Sequence, residues 1–557
     1  MVPVGTSWLH SWSVREHVVR IALASLLATA LGPTTGVATR ARAATGSTDC
    51  SDSIQAMINR AAAGSHVQLP ACVARESLIV DKSLTLEGQP GTEIRGSDVW
   101  SGWHADGARW VSDRSVPSFE NAGECRSSLD CREPEQVFVD GVAQRRTTAE
   151  PSVGQFGLTP SRHVILGSDP ASRLVEVTTR ATWIEIKSDD VTVDGVTFRH
   201  SANGPQSERG ALMILDVNRF TLLRSHLFEA HGALLGIVGG TGHRIEDSEM
   251  AFAGQEGFAM AAISQTRVAR NSIHDNNSAG FDPFWEAGAG KASRVRGLIL
   301  EDNSVSRNRG PGLWCDIDCR DVTVSGNRVD HNEQSGIFFE ISSGAQIAGN
   351  VVWENGWSRP DWGWGAGILV SSSGGVSVSD NILAWNADGI SVISQGRTDR
   401  PRDAATNIDV SRNVVIGAKQ AADTADAYLI AWLQDWPGPL YELSSDNRGS
   451  DNRYWTAEPE PEGEHFHWTS DLTTEAAFHQ TPVGLGGAYI SLEERDRILS
   501  EEGIQSRPEE HVIPPQPLSR RRLIALAAAG IAGVAILVLV LVSVLWYARR
   551  RRRSGGG

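Results

Sequence analysis

The sequence is poor in cysteine, lysine and aromatic residues, and each shortage removes an architecture. Six cysteines in 557 residues are too few for a scaffold held together by disulfides. Glycine is abundant, but without a Gly-X-Y period it does not build a collagen helix; at this level it implies many tight turns. Aromatics make up only 7%, with tryptophan over-represented among them, so a local tryptophan cluster stands out. A second Cys pair or His set to complete a zinc site with Cys315 and Cys319 is missing. The length is ample for a sizeable core and more than one domain.

The charge is unevenly spread. Net charge is -16, but eight arginines (520–522 and 549–553) flank a C-terminal apolar run, and residues 1–43 carry an excess of about three positive charges. The remaining body therefore stands at about -27. Such a surface repels nucleic acid and anionic polymers unless a local basic patch or a cation intervenes, so a nucleic-acid partner is not expected.

Both ends point to a cell surface. Arg15 and Arg20 precede IALASLLATALG from Ile21, then ATRARAAT with Ala41 and Ala43 in small-x-small spacing, which reads as a signal peptide over 1–43. Leu523–Ala548 is 26 residues without a charge and ends in Trp546 and Tyr547, which reads as a single transmembrane helix with 549–557 as an Arg-rich cytoplasmic tail. Residues 505–522 read as a stalk. The Leu-Pro-x-Thr-Gly signal of wall sorting is missing ahead of the span. Sequence neighbours among the cysteines (50 and 72, 125 and 131, 315 and 319) suit short-range disulfides in an oxidising compartment.

The central signal is a repeat, apolar-x-apolar-x-x-Asn-x-apolar. It includes LILEDNSV at Leu298, VTVSGNRV at Val322, AQIAGNVV at Ala345, VSVSDNIL at Val376 and IDVSRNVV at Ile408. The Asn-equivalent positions are 196, 225, 248, 271, 303, 327, 350, 381 and 413, a base period near 23 with insertions. Alternation of period 2, ending in Gly, Asn or Asp, predicts strands and tight turns, hence a parallel β-solenoid whose stacked coils supply the core. Asn at one fixed place predicts a ladder of side-chain amides; Asn276, beside an insertion, reads as a less costly turn residue than Asn350. A second strand per coil is read in GLWCD at Gly312, GIFFE at Gly336, GILVS at Gly367 and GISVI at Gly389. The organisation expected is 44–180 as cap, first coils and a small β subregion, 181–420 as solenoid repeats, and 421–504 as C-terminal coils and cap. Ser53–Ala63 is a capping helix, and Leu492–Glu502, preceded by Ser491, is a helix candidate.

Alternation turns Leu313, Cys315, Ile337 and Phe339 inward, and Trp314, Asp316, Phe338 and Glu340 outward. GLWCD and GIFFE align, so Asp316 lies one coil from Glu340, about 4.8 Å, with Trp314 over Phe338 as a water-facing aromatic platform. Carboxylates beside such a platform suit a sugar, one acting as acid and the other as base or nucleophile; like charges this close raise one pKa. Calcium is the competing use of the same pair. Two insertions are expected to wall a cleft: FDPFWEAGAGK adds Asp282, Trp285, Glu286 and Lys291, and WENGWSRPDWGWG adds Trp357 and Trp362. Lys291 would suit charge neutralisation at a uronic carboxylate.

These coils, GPGLWCDIDCRDVTVSGNRVDHNEQSGIFFEIS in particular, resemble secreted bacterial right-handed parallel β-helix proteins of actinobacterial type, in the pectate-lyase-like superfamily. The resemblance covers roughly 50–420 and implies an all-β, single-stranded right-handed β-helix. It implies a carbohydrate context but no single reaction, since the superfamily includes lyases, hydrolases, epimerases and adhesins. The polygalacturonase Asp-Asp set is missing, and FDPFW keeps only Asp-Pro of the epimerase Asp-Pro-His-Asp motif. The reading is thus a cell-surface β-helix acting on or binding a polysaccharide or cell-envelope glycan; the alternative is a non-catalytic structural, adhesive or glycan-binding module.

Overall fold

Six successive coils turn at a residue in the left-handed region followed by a buried asparagine. Arg270, Asp302, Gly326, Gly349, Asp380 and Arg412 all have φ between 53° and 65°, and Asn271, Asn303, Asn327, Asn350, Asn381 and Asn413 follow them. Gly, Asp and Arg recur before the Asn because this corner needs φ above zero; Gly meets it without a Cβ penalty. The non-glycine residues are tied across coils, as in Arg412 to Asp380 at 2.8 Å and Arg270 to Asp247 at 2.8 Å.

The computed structural model describes residues 48–505, apart from 121–122, 127–129, 206–208, 398–403, 418–427, 458–464 and 470. The signal segment, most of the stalk, the apolar span and the arginine tail lie outside the described residues. Among the described residues no helix is long and apolar enough to cross a membrane.

Three long sheets of 11, 13 and 13 strands run the length of the solenoid, one strand of each per coil. Neighbouring coils pair in parallel, for example Val324 with Ile347 and Ile347 with Val378. Two strands per coil are legible in the sequence; the third, such as Arg328–Asp330 or Ile382–Ala384, is three residues long and follows each Asn corner. Three residues are too few to display alternation, so only the inward one (Val329, Leu383) shows as the final apolar position of the repeat.

The core is built from columns of like residues, such as Leu313, Ile337, Ile368, Ile390 and Ile430, all at most 1% exposed. The helix Ile54–Arg60 closes one end: Ser53 caps it, accepting from the Ala56 amide at 3.1 Å, and Ile54 and Ile58 enter the core. The helix Leu492–Glu501, capped by Ser491, packs Ile498 and Leu499 on a side apolar patch with Trp385 and Ile416.

Between Ser97 and Thr178 the second coil carries a lateral excursion of two small mostly antiparallel sheets, with their own core of Trp100, Val137, Phe156 and Val177. An arm from it that includes Gly123–Arg126 reaches the first insertion: Cys125 bridges Phe281, and Arg126 pairs with Glu333 at 2.8 Å. Disulfides join Cys50–Cys72, Cys125–Cys131 and Cys315–Cys319.

A second asparagine ladder runs beside the first. Asn276, Asn308, Asn332, Asn355 and Asn386 are all buried, each amide nitrogen of the first four donating to the next side-chain oxygen at 2.8–2.9 Å. The expectation that Asn276 is a lesser turn residue is therefore corrected. Its Oδ1 accepts from the Ala253 amide and its Nδ2 donates to the Met250 carbonyl, the pattern Asn350 makes in the first ladder.

Candidate functional site

Strands Gly288–Ser293, Leu313–Asp316 and Ile337–Glu340 lie side by side, and their outward residues make two columns. One is Lys291, Trp314, Phe338 and Leu369; the other is Ser293, Asp316, Glu340 and Ser371. The register expected from the 24-residue offset holds, and Leu313, Cys315, Ile337 and Phe339 point into the core. Trp314 and Phe338 stack with centroids 5.4 Å apart and planes within 10°.

The expected exposure does not hold. Asp316 is 5% exposed, Trp314 6%, Glu340 8% and Phe338 8%. Alternation decides which face of the sheet a side chain leaves from, but not what the chain later folds over that face. Trp362 and Trp364 of the second insertion pack on this cluster, Trp364 edge-on to Phe338 at 6.2 Å. Gly363 (φ +70°) sits so close that a Cβ there would come within 2.6 Å of Leu433 and 2.8 Å of Ser391. Trp362 is itself left-handed (φ 51°, ψ 43°), a strained state for a bulky residue. Arg359 joins the two insertions, its guanidinium 4.1 Å from the Phe284 ring and 4.2 Å from Trp364.

Under this cover the charges pair. The Lys291 ammonium lies 2.9 Å from Asp316, 3.5 Å from Glu286 and 4.1 Å from the Trp314 ring centroid. Arg397 reaches in from the loop after strand Asp388–Ser394 and bonds Glu340. Burial pulls the Lys291 ammonium down, but Asp316 and Glu286 beside it leave it raised overall. Burial first, then the Asp316 charge, raises the Glu340 carboxyl to about 7 against the opposing pull of Arg397.

The other predicted residues are scattered. Asp282 shapes the insertion: its Oδ1 accepts from the Phe284 amide at 3.0 Å, and the structure does not bring it to the carboxylate pair. Trp285 packs near Phe281, under Gly123 of the lateral arm. Trp357 anchors the second insertion, its Nε1 donating to the Trp385 carbonyl at 3.1 Å. Arg397, Gln255 and Glu256 were not singled out from sequence. Gln255 donates to the Glu286 carbonyl at 2.9 Å, and Glu256 adds a negative charge near Lys291. Glu256 opens the strand Glu256–Ala261, whose GFAMA segment resembles GLWCD and GIFFE, but Arg397 has no local signal.

Five buried polar atoms here have no hydrogen-bond partner among the described residues: Asp316 Oδ1, Glu286 Oε2, Gln255 Oε1, Trp314 Nε1 and Arg397 Nε. Asp316 and Glu340 carry the oxygen chemistry calcium prefers. Each already meets a cationic side chain, so an ion there has to displace Lys291 or Arg397. Among the described residues no group of three or more His, Cys, Asp or Glu is arranged to hold a metal.

Residues 210–383 match the family model described as right handed beta helix region. No curated protein matches the sequence. Among solved structures, XylC in complex with xylose is 15% identical with a TM-score of 0.55, covering 75% of this chain and 83% of that one. The A-module of the Azotobacter vinelandii mannuronan C-5 epimerase AlgE6 is 11% identical with a TM-score of 0.40, covering 83% and 95%. At these identities the likeness is one of fold. The repeats over residues 210–383 are thus a right-handed β-helix region, set among the long parallel sheets of the described residues.

Proposed function

We propose that this is a cell-surface β-helix protein that binds and cleaves a polysaccharide on the outer face around Asp316 and Glu340. The observation that carries the reading is the buried ionic cluster itself. Four carboxylates (Glu256, Glu286, Asp316, Glu340) meet two cations (Lys291, Arg397), with several polar atoms unpartnered. A purely structural role gains little from such an arrangement, because desolvating charges costs more than apolar packing of the same volume. Perturbed ionisable groups of this kind concentrate where chemistry is done.

On this reading Glu340, its carboxyl raised to about 7, donates a proton to a leaving glycosidic oxygen. Asp316, one coil away, faces the positive charge that develops on the sugar ring. Trp314 and Phe338 offer an apolar floor once the second insertion moves aside. XylC was solved with xylose; that likeness is one of fold, so the reading rests on the site. The export segment and the late apolar span support the location. Protease added to intact cells should remove the body and spare a tagged C-terminal fragment; protection of the whole chain ends that part.

The second reading, a structural ionic cluster in a surface or adhesive module, is favoured by the low exposure of the pair. Product analysis of the full-length protein on plant and cell-wall polysaccharides decides between them. New reducing or unsaturated ends lost in Asp316→Asn and Glu340→Gln support the first reading; no product on any glycan supports the second.

A further inference from the structure

We infer that the roofed polar cluster around Lys291 is a sugar subsite built to accept hydrogen bonds, which takes an uncharged, hydroxyl-rich pyranose and refuses a uronate. This rests on the carbohydrate reading above and narrows it.

The inference follows from donor and acceptor chemistry. Three of the five unpartnered atoms, Asp316 Oδ1, Glu286 Oε2 and Gln255 Oε1, can only accept; Trp314 Nε1 and, one coil on, Arg397 Nε can only donate. Asp316, Gln255 and Trp314 are nearly inaccessible to water, so each unpaired atom represents an unmet demand. Asp316, Glu286 and Trp314 all touch the Lys291 ammonium or lie under it, and Gln255 holds the Glu286 backbone at 2.9 Å. Their unmet atoms therefore line one neighbourhood.

A partner that suits three acceptors and two donors must both donate and accept, and donate the more. Sugar hydroxyls do both, each offering one O–H and two lone pairs. A uronic carboxylate offers lone pairs only. It would be left facing Asp316, Glu286 and Glu256, while both nearby cations, Lys291 and Arg397, are already engaged by carboxylates. The body charge of about -27 opposes an anionic polymer further. Lys291 then holds Asp316 and Glu286 in place rather than neutralising a substrate acid, contrary to the role its sequence context suggested.

The test is calorimetric binding of the full-length protein at pH 7 to xylohexaose, cellohexaose, hexagalacturonate and hexamannuronate. At least one neutral hexamer should bind ten-fold or more tightly than either uronate. Trp314→Phe removes one donor while keeping a ring between Lys291 and Phe338; it should weaken that binding about five-fold or more. Its melting temperature should fall somewhat, since the smaller ring packs less of the space under Lys291, so binding is compared at a temperature where both proteins are folded. Glu286→Gln is the second variant, should Trp314→Phe unfold, and should weaken binding as well. A uronate bound equally or more tightly overturns this inference while the carbohydrate reading stands. Neutral binding untouched by both variants also overturns it. Binding of none of the four overturns both, leaving the unpaired atoms to buried water.

Discussion

Asp316 and Glu340 stand in register on adjacent coils, yet each carboxylate is turned to a different cation: Asp316 to Lys291 at 2.9 Å, Glu340 to Arg397. Lys291 comes from the preceding coil and Arg397 from a loop 57 residues beyond Glu340. The pair is thus four groups, and its behaviour depends on all of them.

Glu340 should make the protein less stable as pH rises. Its carboxyl is raised to about 7 from an ordinary 4.5, so the folded state holds the proton more tightly than the unfolded state. The contribution is fully present below pH 4.5 and is lost as pH rises through 7. Glu340→Gln should flatten this slope in melting curves between pH 4.5 and 8, raise the melting temperature at pH 8, and abolish glycan turnover. A melting temperature lowered by the variant, and by chelator on the wild type, would instead indicate a calcium ion at the pair.

Removing Lys291 should be costly unless Asp316 goes with it. Lys291→Met leaves two buried carboxylates without their cation and should cost about 3–5 kcal/mol by urea denaturation. Lys291→Met combined with Asp316→Asn should cost well below the sum of the two single changes. Additive losses would mean that the 2.9 Å contact carries no energy.

The two asparagine ladders should be equally important. Asn276→Ala and Asn350→Ala each strand backbone and amide groups in a fully buried corner, and each should cost roughly 1–3 kcal/mol. Chemical denaturation of the two variants checks this; a near-neutral Asn276→Ala would contradict the second ladder.

Alkaline pH should weaken the turns around His274 and His331. Burial pulls His274 down, but Asp275 and Glu249 leave it raised to about 9; Asp330 and Glu354 raise His331 to about 9. For a raised histidine the stabilisation is complete below about 6.5 and declines as pH climbs through 9. Melting temperature should therefore fall between pH 7 and 10, and the fall should shrink in a His274→Gln, His331→Gln double variant. An unchanged profile would show that these ion pairs do not contribute.

Much of this was legible in the chain. The period near 23 and the Asn-before-apolar pattern specify stacked coils, because a coil of that length buries apolar surface only against its neighbours. Alternation in GLWCD and GIFFE set Trp314 over Phe338 and Asp316 beside Glu340. The second ladder was also there to read: Asn276, Asn308, Asn332, Asn355 and Asn386 each follow a first-ladder Asn by five residues. Its signal is weak because the strands that separate the two ladders are only three residues long.

The environment of the pair was not legible. Arg397 over Glu340, Trp364 on Phe338, Arg359 between Phe284 and Trp364, and the lateral arm on Phe281 join segments far apart in the chain. Local periodicity carries no information about such contacts. The sequence by itself determined the coils, their register and the direction each side chain leaves the sheet, since these follow from backbone geometry repeated at a fixed period. The roof over the outer face, the choice of cation for each carboxylate and the raised Glu340 carboxyl arise only when the chain has folded. Those outcomes depend on burial and on charges brought together by loops, and neither quantity exists until the chain has folded.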